Sequence, residues 1–367
     1  MKTIILPVAL IALVAASCAG DSPLGKASET ITPAELREYT RILGADSMMG
    51  RKPFTPGETI AVNYLARELE RIGFAPAFGD SWFQEVPMVE ITTKVQSTVL
   101  ITAGGRKLEL SAPDDIAVES PSMKEYVELV DIPMVFCGFG IVAPEYGWND
   151  FSAVDVRGKC AVVLVNDPGL YTGDSALFKG RTMTYYGRWT YKYEEAARQG
   201  ATAILIIHET VGAGYDFSIP RKSSISPGLY QEPVAGDPEP CPVTGWLSAE
   251  AASVLFGAQG HDVEQLRSDA CIRGFSGFEM GASISLRLIN THLRNSSMNV
   301  AGILRGTTRP EEAVVISAHW EHFGIGEKEN GDSIYNGAVD NGTSMAWALE
   351  IGEAFSSMKK RPERSVI

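Results

Sequence analysis

The segment Ser317–Ser344 concentrates side chains that can bind a metal ion. An apolar run, Ala313–Ile316, precedes it, so His319 is expected just beyond the end of a buried strand. Asp340 follows a Gly-rich polar loop and lies directly before a predicted helix. Ligands of open α/β sheets bind at the carboxyl ends of strands, and a neutral imidazole and a carboxylate are ordinary zinc ligands. The pattern therefore predicts a zinc site that includes His319 and Asp340.

Glu321 and His322 complete the polar cluster around His319. Glu321 lies two residues after His319, a spacing at which its carboxylate can fix the imidazole tautomer and raise its basicity. We assign His322 no ligand role and expect it to pack or to hydrogen-bond near the site. The residues alone also allow a purely structural interpretation, in which His319 is a hydrogen-bonded strand-end residue and Asp340 belongs to a turn or cap.

Composition and charge narrow the class of protein. The chain has 367 residues, 45% of them hydrophobic and 21% charged, which is typical of a globular protein with room for two domains. Its formal net charge of −13 argues against a nucleic acid as partner, because the phosphate backbone is also negative. The sequence has no GxSxG motif for a serine hydrolase and no CxxC spacing for cysteine-bound zinc.

The first residues predict export. A positively charged start and the apolar run Ile4–Ala16 indicate a signal peptide over residues 1–17, and the run is short for a membrane span. Cys18 follows Ala-Ala-Ser, which resembles a bacterial lipobox, so we expect a lipid anchor at Cys18 and a lipoprotein in the periplasm or on a membrane surface. Plain secretion after cleavage near this point is the alternative. Small polar residues at 18–31 indicate a tether.

Local patterns predict alternating helices and strands. Helices are predicted from Pro33, at 57–71, 189–199 and 249–267, and after a cap at Thr343 or Ser344; strands are predicted at 99–101, 108–110, 160–165, 203–207, 282–288, 300–304 and 314–317, and from Arg364. The strand–helix–strand order over 160–207 is typical of a βαβ unit with parallel strands. Residues 211–245 are rich in Gly, Pro and Ser and are predicted to be loops.

The sequence leaves open whether two of the cysteines form a disulfide and where one aromatic cluster lies. Cys137 and Cys160 lie in apolar runs and are expected to be buried thiols, whereas Cys241 and Cys271 lie in loop-rich sequence and could pair in an oxidising compartment. The cluster Tyr185–Tyr191 could border a substrate cleft, or could belong to a core or a domain interface.

A family resemblance follows from these motifs. The pattern SAHWEHFGIG…GDSIYNGAVDNGTS resembles the zinc aminopeptidases with two co-catalytic metals, and NVAGILRG, ALEIGEAF and SMMGRKPFTPG fit the same family. The stretches VRGKCAVVLVND and YEEAARQGATAILIIH resemble the protease-associated domain that many such peptidases carry. The resemblance implies an α/β fold: a mixed-sheet zinc-exopeptidase domain over 32–95 and 291–367, with a β-rich α/β protease-associated insertion and flanking strands over 96–290.

The resemblance also implies roles for the site residues. His319 would bind one zinc, Asp340 would bridge two zinc ions, and Glu321 would orient His319 from a place where Asp is usual. In the family the general base and the other ligands follow on later strands, so this chain holds no general base and they are expected beyond Ile367. We therefore expect a C-terminally truncated enzyme, which binds zinc weakly and hydrolyses little as it stands.

The expected activity of the full-length protein is that of an aminopeptidase, which removes N-terminal residues from peptides in the cell envelope. Two alternatives remain open. One is a non-catalytic peptide-binding or protein-binding lipoprotein that retains a decayed peptidase domain. The other stays within the fold and is a relative that acts as a carboxypeptidase or cyclises N-terminal glutamine, because the fold alone does not fix the reaction.

Overall fold

The computed structural model describes residues 23–367, and helices and strands alternate along them. The predicted signal peptide and the predicted lipidation site at Cys18 lie outside the described residues. Within 23–367, no helix is both long and apolar enough to span a membrane.

The helices are α1 (Pro23–Ser28), α2 (Pro33–Leu43), α3 (Pro56–Arg71), α4 (Pro168–Thr172), α5 (Trp189–Arg198), α6 (Thr210–Ala213), α7 (Ser218–Ile225), α8 (Ala249–Gly257), α9 (Val263–Ala270) and α10 (Thr343–Ser357). Short 3₁₀ turns occupy Asp46–Arg51, Pro144–Tyr146 and Tyr185–Gly187, and a wider π turn occupies Ala338–Gly342.

The strands are β1 (Ala75–Pro76), β2 (Phe83–Val95), β3 (Val99–Ala103), β4 (Arg106–Leu110), β5 (Ile116–Glu119), β6 (Tyr126–Phe136), β7 (Val142–Ala143), β8 (Trp148–Asn149), β9 (Cys160–Leu164), β10 (Ala203–Ile207), β11 (Gly228–Gln231), β12 (Val243–Leu247), β13 (Phe278–Val300), β14 (Gly302–Ile303), β15 (Arg309–Val314), β16 (Gly324–Glu329), β17 (Asp332–Tyr335) and β18 (Arg364–Val366).

The chain divides into two units. One unit comprises residues 23–86 together with Ser296–Ile367, and the other comprises Pro87–Asn295. The sequence predicted the corresponding divisions at 95/96 and 290/291. The assignment of the second unit as a protease-associated domain stays a prediction.

The first unit packs helices α2, α3 and α10 around one apolar core. Helix α2 begins where predicted, because the Thr32 hydroxyl accepts a hydrogen bond from the Glu35 amide at 3.2 Å. Met345 and Leu349 of α10 are buried in the same cluster as Leu43, so α10 turns an apolar face to this core. Strands β15 and β18 pair in parallel, and the Ile316 amide extends this pairing by donating to the Ile367 carbonyl at 2.8 Å.

The second unit is built on a mixed sheet with the strand order β11-β2-β13-β6-β9-β10-β12-β5, and β3 and β4 join it beside β13. Strands β6, β9, β10 and β12 run parallel, which confirms the predicted βαβ unit. Every residue of β9 and β10 is buried, because apolar clusters cover both faces of the sheet.

Several local predictions are wrong. Residues 211–245 contain α7 and the buried strand β12, although their composition resembles a loop. The predicted helix 249–267 is two helices, because the chain turns at Gly260 (φ 79°) and Asp262 caps α9. Thr343 does not cap α10, since it is the first helical residue and its hydroxyl donates to the Val339 carbonyl at 2.8 Å.

The four cysteines within residues 23–367 are free thiols. Cys137 and Cys160 are buried, as predicted. Cys241 does not pair with Cys271, because its sulfur lies within the core against the carbonyls of Ala201 and Val243, each at 3.5 Å. Burial raises the pKa of the Cys241 thiol to about 12, so this thiol is unreactive at neutral pH.

Candidate metal centre

His319 lies in an irregular loop, residues 315–323, that follows β15. Its Nδ1 is 3.0 Å from Glu321 Oε2, and its Nε2 is 3.3 Å from Asp340 Oδ1. A carboxylate only accepts hydrogen bonds, so the contact with Glu321 places the proton of a neutral imidazole on Nδ1. The lone pair of Nε2 then faces Asp340. The structure thus brings together the three side chains that the sequence singled out.

Asp340 reaches the site from the π turn between β17 and α10. Its backbone is extended (φ −106°, ψ 96°), unlike that of the helix that follows. Its side chain is 68% exposed, compared with 49% for His319 and 44% for Glu321. The three side chains are therefore open to solvent, and a ligand could approach them without any rearrangement of the core.

Arg51 fixes the loops behind the site, a role that no sequence pattern predicted. It is fully buried, and its guanidinium donates to the carbonyls of Trp320 (2.7 Å), Asn336 (2.8 Å) and Gly337 (2.8 Å) and to that of Leu43. Burial lowers the pKa of Arg51, while the negative charges of Glu321 and Asp340 act in the opposite direction. One buried cation thus joins the loop that carries His319 to the turn that carries Asp340.

Gly337 is required where this turn approaches its neighbours. Its φ is +64°, a conformation that L side chains rarely adopt. A Cβ atom at this position would lie 2.5 Å from the Asp340 carbonyl oxygen, 2.6 Å from His322 Cγ and 2.7 Å from Arg51 Nη2. The turn therefore packs against the site with no room for a side chain.

His322 contributes to the frame of the site. Its Nδ1 is 2.7 Å from the Tyr335 carbonyl, and its backbone amide donates to the Arg51 carbonyl at 3.2 Å. These contacts attach the loop after His319 to strand β17 and to the Asp46–Arg51 turn. Trp320 points away from the polar cluster, packs against the core of its unit and donates from Nε1 to the Met298 carbonyl at 2.9 Å.

The donor set that the structure assembles is small. His319 and Asp340 face each other, but nowhere in residues 23–367 do three or more His, Cys, Asp or Glu side chains converge as they would around a complete metal site. Zinc usually takes at least three protein ligands. The pair fits part of a zinc coordination sphere and not the whole of it.

The comparison with known families concerns the segment that carries this site. Residues 299–367 match the model of peptidase family M28. The match confirms the family resemblance that the motif from His319 to Asp340 predicted. No curated protein matches the chain.

Solved structures offer more distant likenesses. An aminopeptidase from Aneurinibacillus sp. strain AM-1 is 16% identical to this chain, with a TM-score of 0.39. A peptidase M28 precursor from Shewanella amazonensis SB2B is also 16% identical, with a TM-score of 0.40. Each match covers 94% of this chain. The zinc aminopeptidase BSAP from Bacillus subtilis is 14% identical over 91% of this chain (0.34). The chain spans 63%, 65% and 59% of these three structures, respectively. Scores this low support no inference about function.

Proposed function

We propose that His319 and Asp340 bind zinc in an exopeptidase of the aminopeptidase type. The observation that supports this most directly is the 3.3 Å separation of His319 Nε2 and Asp340 Oδ1. When Glu321 holds the proton of the neutral imidazole on Nδ1, both of these atoms are acceptors, and two acceptors this close repel each other unless a proton or a metal cation lies between them. Zn²⁺ is a cation that such nitrogen and oxygen donors bind.

The chain's own residues would prepare the site in two ways. Glu321 would keep the Nε2 lone pair of His319 available and make it more basic. Arg51 would hold the two ligand-bearing loops at a fixed separation. Zinc, when bound, supplies positive charge that polarises a peptide carbonyl and activates water. The family resemblance adds a second zinc, which Asp340 would share.

The substrates we propose are peptides in the cell envelope, cleaved after their N-terminal residue. For the 367-residue chain by itself we propose weak zinc binding and slow hydrolysis. Its described residues bring together only two of the expected ligands, and hydrolysis by zinc-activated water also needs a general base.

Mass spectrometry of peptide digests tests the proposed reaction. The natural gene product, at the full length that its coding sequence specifies, should shorten a peptide from a free N-terminus and leave the N-acetylated peptide intact. A chelator and the Asp340→Asn variant should both abolish this activity, whereas His261→Ala, at an exposed histidine outside the site, should leave it unchanged.

Other digest patterns would contradict the aminopeptidase proposal. Shortening from the C-terminus would indicate a carboxypeptidase, and loss of ammonia from an N-terminal glutamine would indicate a cyclase. No change in any peptide would favour the non-catalytic binding protein. Strong, chelator-sensitive activity of the 367-residue chain alone would contradict the slow hydrolysis proposed for it.

We also propose that Cys18 carries a lipid that holds the protein at a bacterial membrane surface. The support is the signal-like apolar run and the Ala-Ala-Ser-Cys sequence at its end. Metabolic labelling with a radioactive fatty acid should label the wild-type chain and not the Cys18→Ser variant. Equal labelling of both would contradict lipidation at Cys18.

A further inference from the structure

A small pocket in the second unit combines a carboxylate with aromatic walls. It has a volume of about 160 Å³ and lies at the end of β5, the edge strand of the large sheet. Glu119 is the last residue of β5, and aromatic rings come from three other elements. The rings are Trp189 and Tyr193 of α5, Tyr215 of the loop before α7, and Trp246 of β12.

Glu119 is partly buried and has no charged or hydrogen-bonding side-chain partner among residues 23–367. Burial alone raises the pKa of its carboxyl to about 7. An ionised carboxylate in such a place loses hydration without gaining a partner, which is unfavourable. The pocket therefore has the electrostatic character of a site that lacks its cation.

The surroundings of Glu119 supply no cation within the described part of the chain. The pocket lining includes no Lys, Arg or His. Its titratable neighbours are tyrosines: the Glu119 charge contributes to the raised pKa values of Tyr193 and Tyr230. On α7, Arg221 is engaged elsewhere, in an ion pair with Asp114 at 2.9 Å.

The aromatic rings are arranged as two edge-to-face pairs. Trp189 packs against Tyr193 with ring centroids 5.4 Å apart, and Tyr215 packs against Trp246 at 6.1 Å. His208 fixes the second pair, because its Nε2 is 3.0 Å from the Tyr215 carbonyl. His208 is 3% exposed and touches the rings rather than the pocket. Trp189 is 44% exposed and so stands at the rim. Aromatic faces attract organic cations within about 6 Å of the ring centre.

We propose that this pocket binds the guanidinium or ammonium head of a basic side chain in a peptide. The carboxylate of Glu119 would pair with the charge, and the rings of Trp189 and Trp246 would cover the apolar stem. The size agrees, since the pocket has a volume of only about 160 Å³. That volume suits a side-chain head and is too small for a whole peptide. This site is independent of the proposed zinc site, because it uses none of the same residues.

Calorimetric titration with capped amino acids tests the proposal. Nα-acetylarginine amide should bind saturably at pH 8, and the neutral isostere Nα-acetylcitrulline amide should bind at least about tenfold more weakly, since it lacks the charge. The arginine affinity should fall as the pH drops from 8 to 6, because the carboxyl of Glu119 takes up a proton near pH 7.

Variants localise the binding. Glu119→Gln should weaken arginine binding about tenfold or more and abolish its pH dependence, while Glu109→Gln, at an exposed strand position, should change nothing. Trp189→Ala, at the rim, should weaken binding several-fold without unfolding the protein, as judged by circular dichroism.

Four results would overturn the proposal. The first is equal affinity for the citrulline and arginine compounds. The second is unchanged arginine affinity in Glu119→Gln. The third is tighter binding of spermidine than of acetylarginine amide. It would identify a free polyamine, and not a peptide side chain, as the ligand. Failure of arginine to bind anywhere in the accessible concentration range would also reject the site.

Discussion

The proton on His319 decides what its pair with Asp340 can do. With the proton on Nδ1, held by Glu321 at 3.0 Å, the Nε2 atom is an acceptor that faces another acceptor. A second proton would turn the imidazole into a bridge between two carboxylates, whereas a metal would use the lone pair directly.

The charge of Glu321 should affect zinc affinity more than the length of its side chain does. Glu321→Gln keeps an oxygen acceptor but removes the charge that makes the imidazole basic, so we expect zinc affinity to fall about tenfold or more. Glu321→Asp keeps the charge and should stay within about threefold of wild type. Calorimetric zinc titration measures both, with Glu311→Gln as an exposed control. Equal affinities of the Gln and Asp variants would contradict an orienting role for this carboxylate.

Arg51 should be a main source of stability in the first unit. Arg51→Met removes the guanidinium from four carbonyl groups, of which that of Gly337 keeps the Gly342 amide as a donor at 3.1 Å, so we expect a loss of about 3–5 kcal/mol in the free energy of unfolding. Arg37→Met, at an exposed arginine on α2, should change stability by less than about 0.5 kcal/mol. Urea denaturation measures both variants. Equal midpoints would show that the Arg51 contacts contribute nothing.

At the scale of elements, the turn before α10 requires a residue without a side chain at Gly337. Gly337→Ala places a Cβ against Asp340, His322 and Arg51, so it should cost about 3 kcal/mol or more of stability and weaken zinc binding. Gly331→Ala is a matched control, because Gly331 also has positive φ (91°) but a Cβ there has open space. It should cost only about 1 kcal/mol and leave zinc binding unchanged. Equal effects of the two variants would show that backbone strain alone matters.

Elements with strong local signals could be predicted from the sequence. The helix from Pro33, the strands at 99–101 and 108–110 and the βαβ unit over 160–207 depend on neighbouring residues and appear as expected. Strand β12 could not be predicted, because Val243–Leu247 is a short run in Gly- and Pro-rich sequence. It forms through its long-range pairing with β10 and β5.

The candidate site likewise contains residues that could be predicted from the sequence and one that could not. His319, Glu321 and Asp340 are marked by residue type and by the motif around them. Arg51 is more than two hundred residues away along the chain, and its hydrogen bonds to Trp320 and Gly337 appear only after the fold has formed. No local pattern distinguishes such a buried arginine from a solvated one. The motif SMMGRKPFTPG pointed to the family and not to this contact.

At the scale of the whole molecule, the two units carry separate candidate sites. The unit that contains Ser296–Ile367 holds the His319–Asp340 pair, and Pro87–Asn295 holds the Glu119 pocket. The tests are therefore separable: Glu119→Gln should leave zinc binding unchanged, and Asp340→Asn should leave arginine binding unchanged. Calorimetry of each variant with both ligands checks this. A loss of both ligands in either variant would contradict independent sites.

The most direct measurement is a zinc titration of the chain labelled with ¹⁵N-histidine and followed by NMR. The Nε2 resonance of His319, assigned by its absence in His319→Ala, should move saturably, with half-saturation between about 1 µM and 1 mM. In Asp340→Asn the half-saturation should be at least about tenfold higher, because the negative charge of one ligand is lost. An Nε2 resonance that does not respond to zinc, or that responds equally in Asp340→Asn, would contradict a zinc site at this pair.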